Sequence, residues 1–218
     1  MTYARPAAIV GHMNTSRSVA RATTVCLAAL GASAALMSAP QSPAYALGPG
    51  QACVFLEPEG APVPVLGNVG HIGWGFLVAG SDQWIYGSTE NPNGDYQIYA
   101  PGFNGAWSAQ GNYASMLNDF VTQRHFPATA KQPGPAHPYT SYKCVKTDGS
   151  SVGAAKTAAS GNLTAGYTGI GNNCLDATIR VLNAYGVPGL PSASFYPYPN
   201  NWFNALGTGW TAGRLPAA

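Results

Sequence analysis

The sequence predicts an α+β fold: a small antiparallel sheet packed on helices. Three observations predict it. Aromatic and β-branched residues flank a Gly80-Ser81-Asp82 turn, which marks a β-hairpin. Residues 112–125 and 173–185 repeat apolar side chains at spacings of three and four, which marks helices with one apolar stripe. Strand signals gather in the middle of the chain, with helices around and after them.

The first 46 residues read as a secretory leader. Arg5, Arg17 and Arg21 stand there with no acidic residue, an apolar run follows from Val25 to Met37, and Ala44-Tyr45-Ala46 supplies a small-x-small cleavage site. The run is too short to span a bilayer comfortably. Initiation at Met13 would give a more usual basic segment. The mature chain is expected to begin near Leu47, to be secreted, and to form a single domain over residues 47–218. Seven basic residues then stand against eight acidic ones. No basic stripe remains, which argues against nucleic acid and against a membrane as partners.

A first strand is expected over 52–57 and a second over 70–79. The hairpin turn returns the chain through 83–89, and a fourth strand is expected over 96–100. Tyr113, Met116, Leu117, Phe120 and Val121 form the stripe of the first helix, and Phe126-Pro127 ends it. A Pro-rich surface loop occupies 127–138. Tyr139 to Thr147 reads as a fifth strand, and a weaker helix follows around 151–159. The clearest helix runs from Asn173 to Tyr185. Asn172 or Asn173 can cap it, Leu175, Thr178, Ile179, Leu182 and Tyr185 form its stripe, and Gly186 with Pro188 ends it. A short helix over 200–206 closes the pattern.

The mature chain has three cysteines, an odd count for an oxidising compartment. Cys53 and Cys144 both fall in strand-like segments that a disulfide can bridge, which leaves Cys174 as the free thiol. Cys174 opens the clearest helix, where unpaired backbone N–H groups and the positive end of the helix dipole favour a thiolate. The same N–H groups can hold an oxyanion. A buried structural cysteine is the alternative reading. His71, flanked by Gly70 and Gly73, begins the second strand and is the candidate base. His125 and His137 flank the Pro-rich loop and read as exposed polar residues. No metal-type cysteine spacing is present, and neither a metal nor another cofactor is expected.

Two motifs together resemble a known family. His71-Ile72-Gly73-Trp74, returning through Gln83-Trp84-Ile85-Tyr86-Gly87-Ser88-Thr89, looks like the histidine hairpin of NlpC-type papain-like cysteine hydrolases. Asn173-Cys174-Leu175-Asp176-Ala177-Thr178 looks like their nucleophile helix. Histidine before cysteine is similar to the circularly permuted branch, which includes the lecithin:retinol acyltransferase-like proteins. The resemblance covers about 52–190. It implies a permuted papain-like architecture, Cys174 as nucleophile, His71 as base, and a third polar residue on the returning strand. Tyr86 is the best-matching position, but a phenol is a poor partner for the ring. Alternation puts Tyr86, Ser88 and Glu90 on one face, so Glu90 can reach in from the strand end.

The resulting expectation is a secreted thiol hydrolase acting on an amide or related acyl bond. The resemblance implies peptidoglycan peptides as the commonest substrate class and leaves acyl transfer open. The alternative is a non-catalytic module that binds sugar or peptide through Trp74, Trp84, Trp107, Trp202, Trp210 and the tyrosines.

Overall fold

The computed structural model of the protein describes residues 49–98, 102–127 and 138–217. The leader expected over residues 1–46 lies outside them. The elements run, in chain order, β1 (Gly50–Glu57), β2 (Pro62–Val63), β3 (Gly67–Asn68), β4 (His71–Leu77), β5 (Gln83–Thr89), β6 (Gln97–Ile98), β7 (Ala106–Asn112), α1 (Tyr113–Thr122), β8 (Ser141–Thr147), α2 (Val152–Thr164), β9 (Tyr167–Thr168), α3 (Cys174–Tyr185), α4 (Pro199–Ala205) and β10 (Thr211–Arg214). The fold is α+β. Its six-stranded sheet has the order β10-β8-β1-β4-β5-β7, and every neighbouring pair is antiparallel. Among the described residues no helix is long and apolar enough to cross a membrane.

Period-two alternation sorts the sheet into two faces. Ala52, Val54 and Leu56 of β1 join Ile72, Trp74 and Phe76 of β4 in one apolar cluster, which α2, α3 and α4 cover with Ala155, Val181, Leu182 and Trp202. Phe55, Tyr86, Met116, Phe120 and Tyr139 form the cluster on the other face, under α1. Glycine makes that second packing possible. A Cβ at Gly73 would meet Phe120 Cε1 at 2.6 Å, and one at Gly75 would meet Met116 Sδ at 2.6 Å. The glycines beside His71 therefore admit the side chains of α1.

The strand expected over 96–100 is, in its described part, only the two residues Gln97–Ile98, which pair with β9 outside the main sheet. The edge of β5 is taken by β7, which pairs along all seven of its residues, Gln83↔Asn112 to Thr89↔Ala106. Neither β7 nor β10 carries a strand signal: Ser108, Gln110, Gly111 and Gly213 break any apolar alternation. α1 ends three residues earlier than expected. Gln123 takes a left-handed conformation, φ 47°, and its N–H bonds to Asp119 C=O.

Cys53 and Cys144 are direct cross-strand partners on β1 and β8 and are joined by a disulfide, while Cys174 is free and buried. Cross-linking residues 91 apart in sequence restricts the unfolded chain. Replacing both cysteines with serine is expected to cost about 2–4 kcal/mol of unfolding free energy, read from urea titration of the mature protein. Non-reducing peptide mapping is expected to return the Cys53–Cys144 peptide pair with Cys174 unpaired. A disulfide containing Cys174 would refute the assignment.

Candidate active site

α3 lies along β4. Tyr185, at its end, donates its hydroxyl to Leu77 C=O at the end of β4 at 2.7 Å. Cys174, at its start, interacts with the ring of His71, the first residue of β4. The two predicted motifs thus meet at one end of the sheet, where β1 and β5 also finish and β7 and β8 begin.

The helix start is held by a capping box. Asn173 Oδ1 accepts from the N–H groups of Leu175 and Asp176 at 2.9 and 3.1 Å, and Asp176 Oδ2 accepts from Asn173 N–H at 3.0 Å. Ala177 N–H bonds to Asn173 C=O. The Cys174 N–H is therefore the donor at this helix start that neither cap nor helix uses, and it sits on the residue whose sulfur would attack. Asn173 and Asn172 also tie the preceding loop, donating to Gly169 C=O at 3.1 Å and Gly166 C=O at 2.8 Å. Of the two asparagines that could cap, Asn173 is the cap.

His71 is fixed through one nitrogen. Its Nε2 lies 2.9 Å from Glu90 Oε2 and 3.1 Å from Ser88 Oγ. Ser88 spends its own proton on Ile72 C=O at 3.0 Å, so the ring donates from Nε2. With Nε2 engaged, Nδ1 is the ring nitrogen that can serve the thiol. Glu90 is itself held by two donors: Trp107 Nε1–H at 2.7 Å and the Tyr139 hydroxyl at 3.2 Å. Tyr139 also donates to Ser88 Oγ at 3.0 Å.

Electrostatics follow from this burial. Desolvation alone would lower the His71 pKa, but the charges of Cys174 and Glu90, with a hydrogen bond from the ring to each, hold it well above its ordinary 6.5. Desolvation would raise Glu90, yet His71 and the donors around the carboxylate hold it below its ordinary 4.5. Burial and the nearby Glu90 and Glu57 charges keep the Tyr139 phenol protonated, well above 10.

Tyr86 does not reach the ring. It lies at the middle of β5 and donates to Asp119 Oδ2 at 2.7 Å. His125 shares the same carboxylate at 3.0 Å and stacks on Trp107 with ring centroids 4.9 Å apart, so it is not simply an exposed polar residue. His137 lies outside the described residues. Sequence reasoning missed Trp107, Tyr139 and Glu57. Trp107 sits on the unforeseen β7. Glu57 is the acid that ends an apolar strand, a visible oddity whose position opposite His71 depends on register.

Glu57, His71 and Glu90 each place one potential ligand atom within 4.8 Å of the others, the group among the described residues best composed to hold a metal ion. Because Nε2 is already shared between Glu90 and Ser88, we read the cluster as a proton-holding network. Trp74, Trp84 and Trp202 are buried in the core, whereas Trp107, which donates to Glu90, and Trp210 are half-buried. A cavity of about 350 Å³ lies behind α3, between Asp176, Arg180 and Asn183 and the 190–193 segment. Neither Cys174 nor His71 lines it, and the pair is 5% and 7% exposed.

No family model, no curated protein and no solved structure matches the chain.

Proposed function

We propose that the protein is a secreted cysteine hydrolase of permuted papain-like, NlpC-type architecture, acting on an amide or related acyl bond. The observation that carries this reading is the His71 ring, held at Nε2 by Glu90 and Ser88 and turned to a free thiol at the start of α3. The Cys53–Cys144 disulfide and the leader support secretion.

The chemistry runs in two halves. His71 takes the thiol proton, and Cys174 Sγ attacks the carbonyl carbon while the Cys174 N–H faces the developing oxyanion. The tetrahedral intermediate collapses, breaking the C–N bond, as His71 returns its proton to the leaving amine. Water then attacks the thioester with His71 as base, releasing the acid and the free thiol. Glu90 keeps the ring oriented and supports its positive charge, as a carboxylate does in other nucleophile–histidine pairs.

Peptidoglycan stem peptides are the substrate class to try first. The mature protein is expected to cleave an amide bond in purified muropeptides, read by mass spectrometry of the products. Cys174→Ala is expected to cleave none. Muropeptides left intact, together with no thioester trapped on Cys174 by activated acyl esters, would refute the hydrolase reading.

A further inference from the structure

His71 stands on β4 between two neighbouring strands, and each sets a glutamate beside it. Glu90 follows β5 on one side. On the other, Glu57 is the last residue of β1 and the register partner of His71. Only 5% of Glu57 is exposed. The turn after β1 closes directly on both side chains: a Cβ at Gly60 would meet His71 Cβ at 2.6 Å and Glu57 Cδ at 3.1 Å.

Two carboxylates and a thiolate around one imidazolium would leave two uncompensated negative charges in a buried cluster, which is costly. Among the groups that face this cluster, Tyr139 before β8 stays protonated, as does Tyr167 of β9, raised chiefly by burial and by the charge of Cys174. Asp176 of α3 is tied to the Asn173 N–H. Glu90 is held ionised by His71 against the effect of burial. Burial, the largest influence, lifts Glu57 to about 7, with His71 opposing the rise and Glu90 adding to it, so it is the carboxyl of the cluster nearest to holding a proton at neutral pH.

We propose that Glu57 is a positioning residue for the His71–Cys174 pair, bracketing the ring from the strand opposite Glu90, and that its ionisation tightens the hold of His71 on the proton the leaving group needs. The assignment rests on the hydrolase reading of the site. It gives the site a second carboxyl with a separate task. Glu90 is the carboxylate that stays ionised at neutral pH and fixes the ring, whereas Glu57 is proposed to change charge near neutrality and so to tune the ring as an acid.

The chain has three glutamates, Glu57, Glu59 and Glu90, so carboxyl carbon NMR on glutamate-labelled protein has few signals to resolve. In the unsubstituted mature protein one signal is expected to titrate with a midpoint near pH 7 and to vanish in Glu57→Gln. Alkylation of Cys174 by iodoacetamide, followed against pH, is expected to show a step at the same midpoint. Glu57→Gln loses the step, Glu57→Asp keeps one, and His71→Ala loses it because the coupling runs through the ring. No glutamate signal titrating between about pH 6 and 8 would overturn the proposal. So would a step that persists in Glu57→Gln while alkylation still depends on His71, and that result would leave the hydrolase reading standing. Alkylation indifferent to His71 at every pH, with the Glu57 signal still titrating near 7, would overturn the hydrolase reading and the coupling with it.

Discussion

Cys174→Ala is expected to abolish amide hydrolysis, and His71→Ala to lower it by roughly 10²–10⁴-fold, the range general acid–base catalysis supplies. The thiol cannot form the thioester without its sulfur. Without the ring, the proton leaving the thiol and the proton reaching the amine both lose their carrier. The two residues act as one unit, so the double variant should be little worse than Cys174→Ala alone. Circular dichroism must accompany these kinetics, because both side chains are buried. Neither variant removes a residue of the capping box or of the apolar stripe of α3, so near-native spectra are expected. Losses that simply add would mean that sulfur and ring serve separate tasks.

Glu90→Gln is expected to lower hydrolysis by roughly 10²-fold or more, since a carboxylate that orients and charges a catalytic ring commands effects of that order. Tyr86→Phe should leave the rate within about twofold while costing about 1–3 kcal/mol of stability, because it strips a donor from buried Asp119. The two variants therefore separate a catalytic partner from a structural one in opposite measurements. The Glu90 pair also has a pH signature. Its folded pKa lies below 4.5, so its contribution to stability is present above pH 4.5 and is lost as pH falls through the folded value. Glu90→Gln should remove that acid-limb loss in urea midpoints measured down the pH scale. A larger rate loss in Tyr86→Phe than in Glu90→Gln would reverse the assignment.

Local features of the site were legible in the sequence, and those set by register were not. α3 is written in contiguous residues: Asn173 caps it, Leu175, Leu182 and Tyr185 form its buried stripe, and Gly186 ends it at φ 102°. The Cys53–Cys144 pair was legible because both residues sit inside strand-like runs, and the odd count left one thiol over. Glu90 and Tyr86 share a face of β5, so alternation alone could not choose between them. The choice is made by hairpin register, which pairs Gly73 with Ser88 and so carries His71 past the end of β5 to Glu90. Glu57 is set opposite His71 by the pairing of β1 with β4, a contact between segments separated by a whole hairpin. Trp107 could not be placed without β7, whose residues form a strand because the edge of β5 is open to them and not because their own pattern demands it.

His71 is proposed to activate Cys174. The most direct test is the rate of iodoacetamide alkylation at pH 6, with the site of modification located by peptide mass spectrometry. An ordinary thiol, with a pKa of about 8.5, is almost wholly protonated there and reacts slowly. Cys174 is expected to be alkylated readily in the unsubstituted mature protein and at least about tenfold more slowly in His71→Ala, since the imidazolium no longer holds the thiolate. Equal rates in the two proteins, each no faster than an ordinary thiol, would contradict the account.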